Sequence, residues 1–324
     1  MMRKNKLCEV LGIEKPVIQG PMAWSSFAPL VAAVSNAGGL GVLGVGSARA
    51  ELIREQIQKT RALTDKPFGV NVFLYPPELP PILEVLLEEK PPVVYADVLF
   101  NLDSELCKSF FTPLKEVGIK IIVKASMVKD AITAAENGAD VVIAKGWEGG
   151  GHVTPESTMA LLPQVTQLLS VPVIGSGGIA DGRGMAAAIA LGADGIEMGS
   201  AFLCSEECTI HQNAKDAILA AGDMRSVITG TCNHEPCRQL SNKYTDEMID
   251  LEWNHPASEV SEKIRDLATP ALRTAMRDGD VENGALMVGM IAPLIKEIRP
   301  AAKIIDDTLL ECKEVLSSIQ QFVF

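Results

Sequence analysis

An eight-stranded (β/α) barrel with a C-terminal helical subdomain is the fold this sequence predicts, and three observations carry that expectation. Short runs rich in valine and isoleucine recur at intervals of roughly 20–30 residues. The runs are apolar throughout rather than alternating, as strands covered on both faces are. Stretches with helical spacing lie between them, several ending in glycine. A doubly wound open sheet shares this rhythm, but no G-x-G-x-x-G turn follows the first strand.

Taken in order, "PVIQGPM" (Pro16 to Met22) is the first strand, and "SFAPLVAAVSNAGG" is a helix stopped by Gly38 and Gly39. "LGVLGVG" is the second strand, followed by the amphipathic "ARAELIREQIQKTRALTD". "FGVNVFL", "PVVYADV", "KIIVKAS", "ADVVIAKG", "VPVIGSGG" and "ADGIEMGSAF" supply the other six. "DSELCKSFFTPLKEVG", "MVKDAITAAENG", "TMALLPQVTQLLS" and "GRGMAAAIALG" are the intervening helices. "YPPELPPI" (Tyr75 to Ile82) reads as a stiff loop at a strand end, where a pocket wall would sit. After about Ala201 the rhythm changes. "HQNAKDAILAAG", "SNKYTDEMIDLEWN", "SEVSEKIRDLATPALRTAMRDG", "GALMVGMIAPLIKEI" and "AAKIIDDTLLECKEVLSSIQQFVF" all read as helices. The division expected is a barrel over residues 1–222 and a mainly helical region over 223–324, from which the last barrel helix is drawn.

Composition narrows the functional classes. The 324 residues, 47% hydrophobic and 22% charged, suffice for one large barrel core. A net charge of −12 without any basic cluster argues against nucleic acid. No apolar stretch approaches the ~20 residues that span a bilayer, and the N-terminus has no signal-type apolar core. Seven scattered cysteines fit reduced thiols in a cytoplasm. Cys204, Cys208, His211, Cys232, His234 and Cys237 have C-x3-C and C-x4-C gaps rather than C-x2-C, so no metal is expected, and Cys204 and Cys208, one helical turn apart, read as packing residues.

Chemistry in such barrels gathers at the C-terminal ends of the strands. There, "AKGWEGGGHVTPES" spends Gly149, Gly150 and Gly151 to deliver His152, one of only four histidines. The glycines would let the backbone approach a flat ligand and adopt positive φ, and the imidazole can exchange a proton. Ser176, Gly177 and Gly178 after the seventh strand, with Gly199 and Ser200 after the eighth, can aim backbone amides at one phosphate. Asn71 offers an amide inside the barrel, and Gly20, Pro21, Met22 and Ala23 end the first strand with main-chain groups that a heterocycle's edge can meet.

In these motifs, with "VSNAGGLGVLG" and "DGDVENGALMVG", the chain resembles almost end to end the flavin-dependent nitronate monooxygenase/2-nitropropane dioxygenase superfamily, and within it enoyl-acyl-carrier-protein reductase II. The resemblance implies a TIM barrel with a helical lid holding FMN. Met22, Asn71, Gly150 and Gly151 would line the isoalloxazine, while Ser176, Gly177, Gly178, Gly199 and Ser200 would hold the phosphate. His152 would be the catalytic acid/base. It also implies NADH or NADPH as electron donor, reduction of a 2-enoyl thioester, an acyl carrier protein as partner, and a homodimer. The alternatives are oxidation of an alkyl nitronate with molecular oxygen, and a flavin-free phosphate-binding barrel. The chain departs from the family at Glu197, where glutamine is common. It departs from the reductases at Lys145, where they carry glutamate, at Gly289-Met290, where they carry Gly-Gln, at Ala201, and at "YADVLFN", which lacks a Gly-Ala-Gly turn.

Overall fold

The computed structural model describes residues 5–98 and 101–321. Residues 1–4, Leu99 and Phe100 of "YADVLFN", and the last three residues lie outside them. The strands β1 (Val17–Gln19), β2 (Leu40–Leu43), β3 (Phe68–Phe73), β4 (Val93–Asp97), β5 (Lys120–Ala125), β6 (Val141–Lys145), β8 (Val173–Ser176) and β9 (Gly195–Met198) form a closed barrel, every pair parallel. β7 is the two-residue strand Gly151–His152 outside that ring. The expected eight-stranded TIM barrel is the fold observed.

Seven helices follow the strands in sequence: α2 (Ala28–Asn36), α3 (Ala50–Arg61), α4 (Leu79–Glu89), α5 (Ser104–Glu116), α6 (Val128–Glu136), α7 (Thr158–Leu168) and α8 (Gly182–Ala190). α13 (Ala301–Ile319), from the far end of the chain, packs against α8 and α2 and closes the outer ring. Outward residues such as Val70, Val72, Val94 and Val123 form one core with these helices. Inward residues Ile18, Leu40, Val42, Val93, Ile122, Val141, Ile143 and Ile174 fill the barrel's lower part.

Two sequence expectations need correction, and two further stretches take up structure that the sequence analysis did not assign. The N-terminal segment forms α1 (Lys6–Leu11), and its buried Leu7 and Leu11 pack onto the inward residues as a plug. "YPPELPPI" is not all loop: α4 begins at Leu79 and carries Pro80 and Pro81 in its first turn, where a missing N–H costs nothing. After the barrel strands come α9 (Ser200–Leu203) and α10 (Gln212–Leu219); beyond residue 222, α11 (Lys243–Asn254) and α12 (Ala257–Met276) are accompanied by β10 (Ser226–Thr229) and β11 (Cys237–Leu240), an antiparallel pair extended by β7. Finally, "GALMVGMIAPLIKEI" is a strap with one short 3₁₀ turn, Ala292–Leu294, instead of a helix. Met287, Gly289 and Ile291 face a cavity while Leu286 and Val288 face the core, so its apolar run serves two sides of an extended chain.

Candidate active site

Climbing the barrel interior, the side chains turn from apolar to ionisable at the C-terminal strand ends. Asp97 closes β4, Lys124 lies near the end of β5, Lys145 and Ser176 end β6 and β8, and Glu197 lies on β9. Registers Asp97↔Lys124, Lys145↔Ser176 and Ser176↔Glu197 set them side by side. Lys124 and Asp97 form a buried ion pair. The Glu197 carboxylate accepts from Tyr95 Oη at 2.7 Å and Ser176 Oγ at 2.6 Å. Burial lifts its pKa above the usual carboxylate value, against the pull of those hydroxyls and of Lys145 and Lys124. Gly20 is needed beside it, because a Cβ there would stand 2.9 Å from Glu197 Cδ.

Above this layer runs the loop from Gly146 to His152, and each of its three consecutive glycines, Gly149 to Gly151, has its own cause. A Cβ on Gly149 would lie 2.6 Å from Lys145 Cε. One on Gly150 would lie 2.8 Å from Gly289 N and Val288 C, where two backbones meet. Gly151 has φ +74°, which side chains rarely tolerate. At 149 and 150 the glycines thus also answer to contacts within the chain, while all three line the cavity above the strand ends. Lys145 Nζ donates to Gly150 O at 2.8 Å and His152 O at 3.0 Å. Arg238 Nε donates to Trp147 O at 3.0 Å and its guanidinium stacks 5.0 Å from the Trp147 ring centre. Glu148 accepts from Thr158 N at 2.9 Å and Thr158 Oγ1 at 2.8 Å, at the start of α7.

His152 ends the loop opposite Cys237 of β11. Its pKa falls to about 4, chiefly through burial and then through the cations Lys124 and Lys145, with Asp97 opposing. Burial and Lys124 likewise bring Lys145 down to about 8. At neutral pH the imidazole is therefore uncharged and the lysine largely charged.

A cavity of about 360 Å³ opens over these groups. Gly20, Pro21, Met22, Ala23, Gly150, Gly151, His152, Ser176, Gly177, Gly178, Glu197, Gly199 and Ser200 all line it. Asn71 does not: its Nδ2 donates to Tyr95 O at 3.3 Å, and its Oδ1 packs so close to Gly46 that a Cβ there would sit at 2.3 Å. Sequence reading passed over Asp97, Lys124, Tyr95 and Glu148. A lysine inside the apolar run "KIIVKAS" and an aspartate ending "VVYAD" were signals for two of them.

The cavity's far end suits a phosphate. Gly177 and Gly178 have φ +91° and +75°, and a Cβ on Gly177 would meet Gly146 O at 2.8 Å. Among the described residues, the amides of Gly178, Ile179, Gly199 and Ser200 have no acceptor. The nearby Glu148 carboxylate is turned toward α7, where both donors of Thr158 hold it. Among the described residues no three His, Cys, Asp or Glu side chains gather as metal ligands. Cys204 and Cys208 are buried in the core, the helix between strand and subdomain having ended at Leu203.

The sequence profile of the nitronate monooxygenase family matches residues 4–94 and 82–311. A nitronate monooxygenase of Paraburkholderia phytofirmans is 33% identical, covering 98% of each chain. FabK from Thermotoga maritima is 37% identical with a TM-score of 0.92, covering 99% of this chain and all of that one. Nitroalkane oxidase from Streptomyces ansochromogenes is 28% identical with a TM-score of 0.83, covering 97% and 99%.

Proposed function

Because this chain belongs to the nitronate monooxygenase family and is an oxidoreductase, we propose that it binds FMN and oxidises a small alkyl nitronate with molecular oxygen. The observation that carries this reading is that His152 lines one cavity with Lys124 and Lys145, its imidazole uncharged at neutral pH. An imidazole with its pKa near 4 is a poor proton donor to carbon at neutral pH. Its N–H can instead donate to an oxyanion, as a neutral histidine can at an enolate site. A nitronate already carries its charge, so no proton has to be removed. The two lysines that line the cavity floor favour that charge.

A bound flavin would supply the redox chemistry that side chains lack. The unspent amides of Gly178, Ile179, Gly199 and Ser200 would hold its phosphate. Met22, Gly150 and Gly151 would line its ring. A single cradle and no dinucleotide turn favour FMN over FAD. The seven free thiols support a cytoplasmic protein.

A second reading, reduction of a 2-enoyl thioester by NADH or NADPH, draws on the likeness to FabK. His152 would then donate to the thioester carbonyl as enolate charge develops, and water would protonate the carbon. Purified protein should be yellow, absorbing near ~450 nm as oxidised flavin does. With ethyl nitronate in air it should consume oxygen, whereas anaerobic crotonyl thioester with NADH or NADPH should turn over slowly. Fast thioester reduction without nitronate oxidation would transfer the assignment to the second reading, and a colourless protein would refute both.

A further inference from the structure

We infer that Lys145 is a positioning residue, fixing the loop from Gly149 to His152 from beneath and so setting where the His152 imidazole stands. The two carbonyls it holds flank Gly151, and their Nζ distances are 2.8 Å and 3.0 Å. Gly151 has φ +74°, so the sharpest turn of the loop is bracketed by bonds to one ammonium. The sheet alone is a weak anchor, because β7 contributes only two residues to its pairing with β11. From outside, the loop is held by the strap: Gly150 packs on Val288 and Gly289, and Glu148 O accepts from Met290 N at 2.9 Å.

The lysine stem supplies a second, independent mark. It runs directly under Gly149, where a Cβ would come to 2.6 Å from Cε. The far end of that side chain cannot swing aside without giving up both carbonyls. Gly149 and Lys145 are therefore one device, and the glycine is there because the lysine is. Glutamate at 145 has no proton to offer either carbonyl when ionised.

The titratable groups facing Lys145 are Lys124 of β5, Asp97 of β4, Glu197 of β9 and the neutral Cys237 thiol of β11, with the uncharged His152 on the loop it holds. The ammonium thus also contributes positive charge at the imidazole, and its hydrogen bonds weaken as it loses its proton above about pH 8. The inference takes from the functional reading only that His152 faces the substrate.

The test is a double-mutant cycle of Lys145→Ala and Gly149→Ala in the flavin-loaded protein labelled with ¹³C-histidine. The His152 resonance, assigned with His152→Asn, is titrated by NMR. Lys145→Ala should raise the His152 midpoint by roughly one unit or more, as loss of a nearby like charge does. It should lower kcat roughly 10- to 100-fold on whichever substrate the wild type uses, with flavin retained and KM little changed. Gly149→Ala alone should shift the resonance and lower kcat; added to Lys145→Ala it should do little more, because the stem is gone. An unmoved His152 midpoint in Lys145→Ala, or an equal effect of Gly149→Ala in both backgrounds, would overturn the inference. Should Lys145→Ala not fold, Lys145→Met keeps the stem, removes every donor, and is read by the same titration. The titration needs no substrate, so a wrong substrate assignment would leave it standing.

Discussion

Gly150 is the position where packing and chemistry are most tightly coupled. Alanine there places a Cβ 2.8 Å from both Gly289 N and Val288 C, and 3.0 Å from Val288 Cα. Ordinary contact begins near 3.4 Å, so the loop or the strap has to yield by about 0.6 Å. Both neighbours are backbone and no side chain can rotate away. Overpacking of this kind costs about 1–3 kcal/mol. The shift also exceeds the ~0.5 Å within which reacting groups must be held. Gly150→Ala should therefore lose about 1–3 kcal/mol in urea unfolding and roughly 10- to 100-fold in kcat. Gly222→Ala is the control: its Cβ meets nothing within 4 Å, so it should be neutral or gain up to about 1 kcal/mol. Wild-type stability and turnover in Gly150→Ala would refute the packing of the loop on the strap.

Three further outcomes follow from the same geometry. Lys124→Met should cost about 3–5 kcal/mol by leaving Asp97 buried without its partner, and adding Asp97→Asn should restore most of it, both read by urea unfolding. Gly177→Asp should strip flavin from a folded barrel, since it strains a φ of +91° and sets a carboxylate at the cradle; unchanged absorbance per protein would place the phosphate elsewhere. His152 has a folded pKa near 4, below its ordinary 6.5, so the unfolded chain takes up the proton first. Its stabilising share is complete above about pH 6.5 and is lost as pH falls toward 4. Urea midpoints of His152→Asn should accordingly fall less over that window than those of the wild type.

The barrel was legible because its strands are apolar on both faces and its helices amphipathic, a pattern that local sequence carries. The glycine pairs at 177–178 and the loop before His152 were legible for the same reason, as positions that need unusual backbone. The strap from Gly284 to Ile298 was misread because apolar residues facing a cavity and a core mimic a helical stripe. Asn71, expected at the ligand, donates to the Tyr95 carbonyl and lies close against Gly46, contacts between strands that sequence does not announce. The causes of Gly149 and Gly150 were hidden likewise. One lies in a lysine stem and the other in a strap some 140 residues further on.

The most direct test of the nitronate assignment and of His152's part in it is anaerobic rapid mixing of the yellow protein with ethyl nitronate, comparing wild type with His152→Ala. The wild-type flavin absorbance should change within the turnover time. The variant should keep its flavin but react roughly 100- to 1,000-fold more slowly, the usual loss when one oxyanion donor is removed. Equal rates in the two proteins would make His152 a loop residue only, and no absorbance change in either would remove nitronate as the substrate.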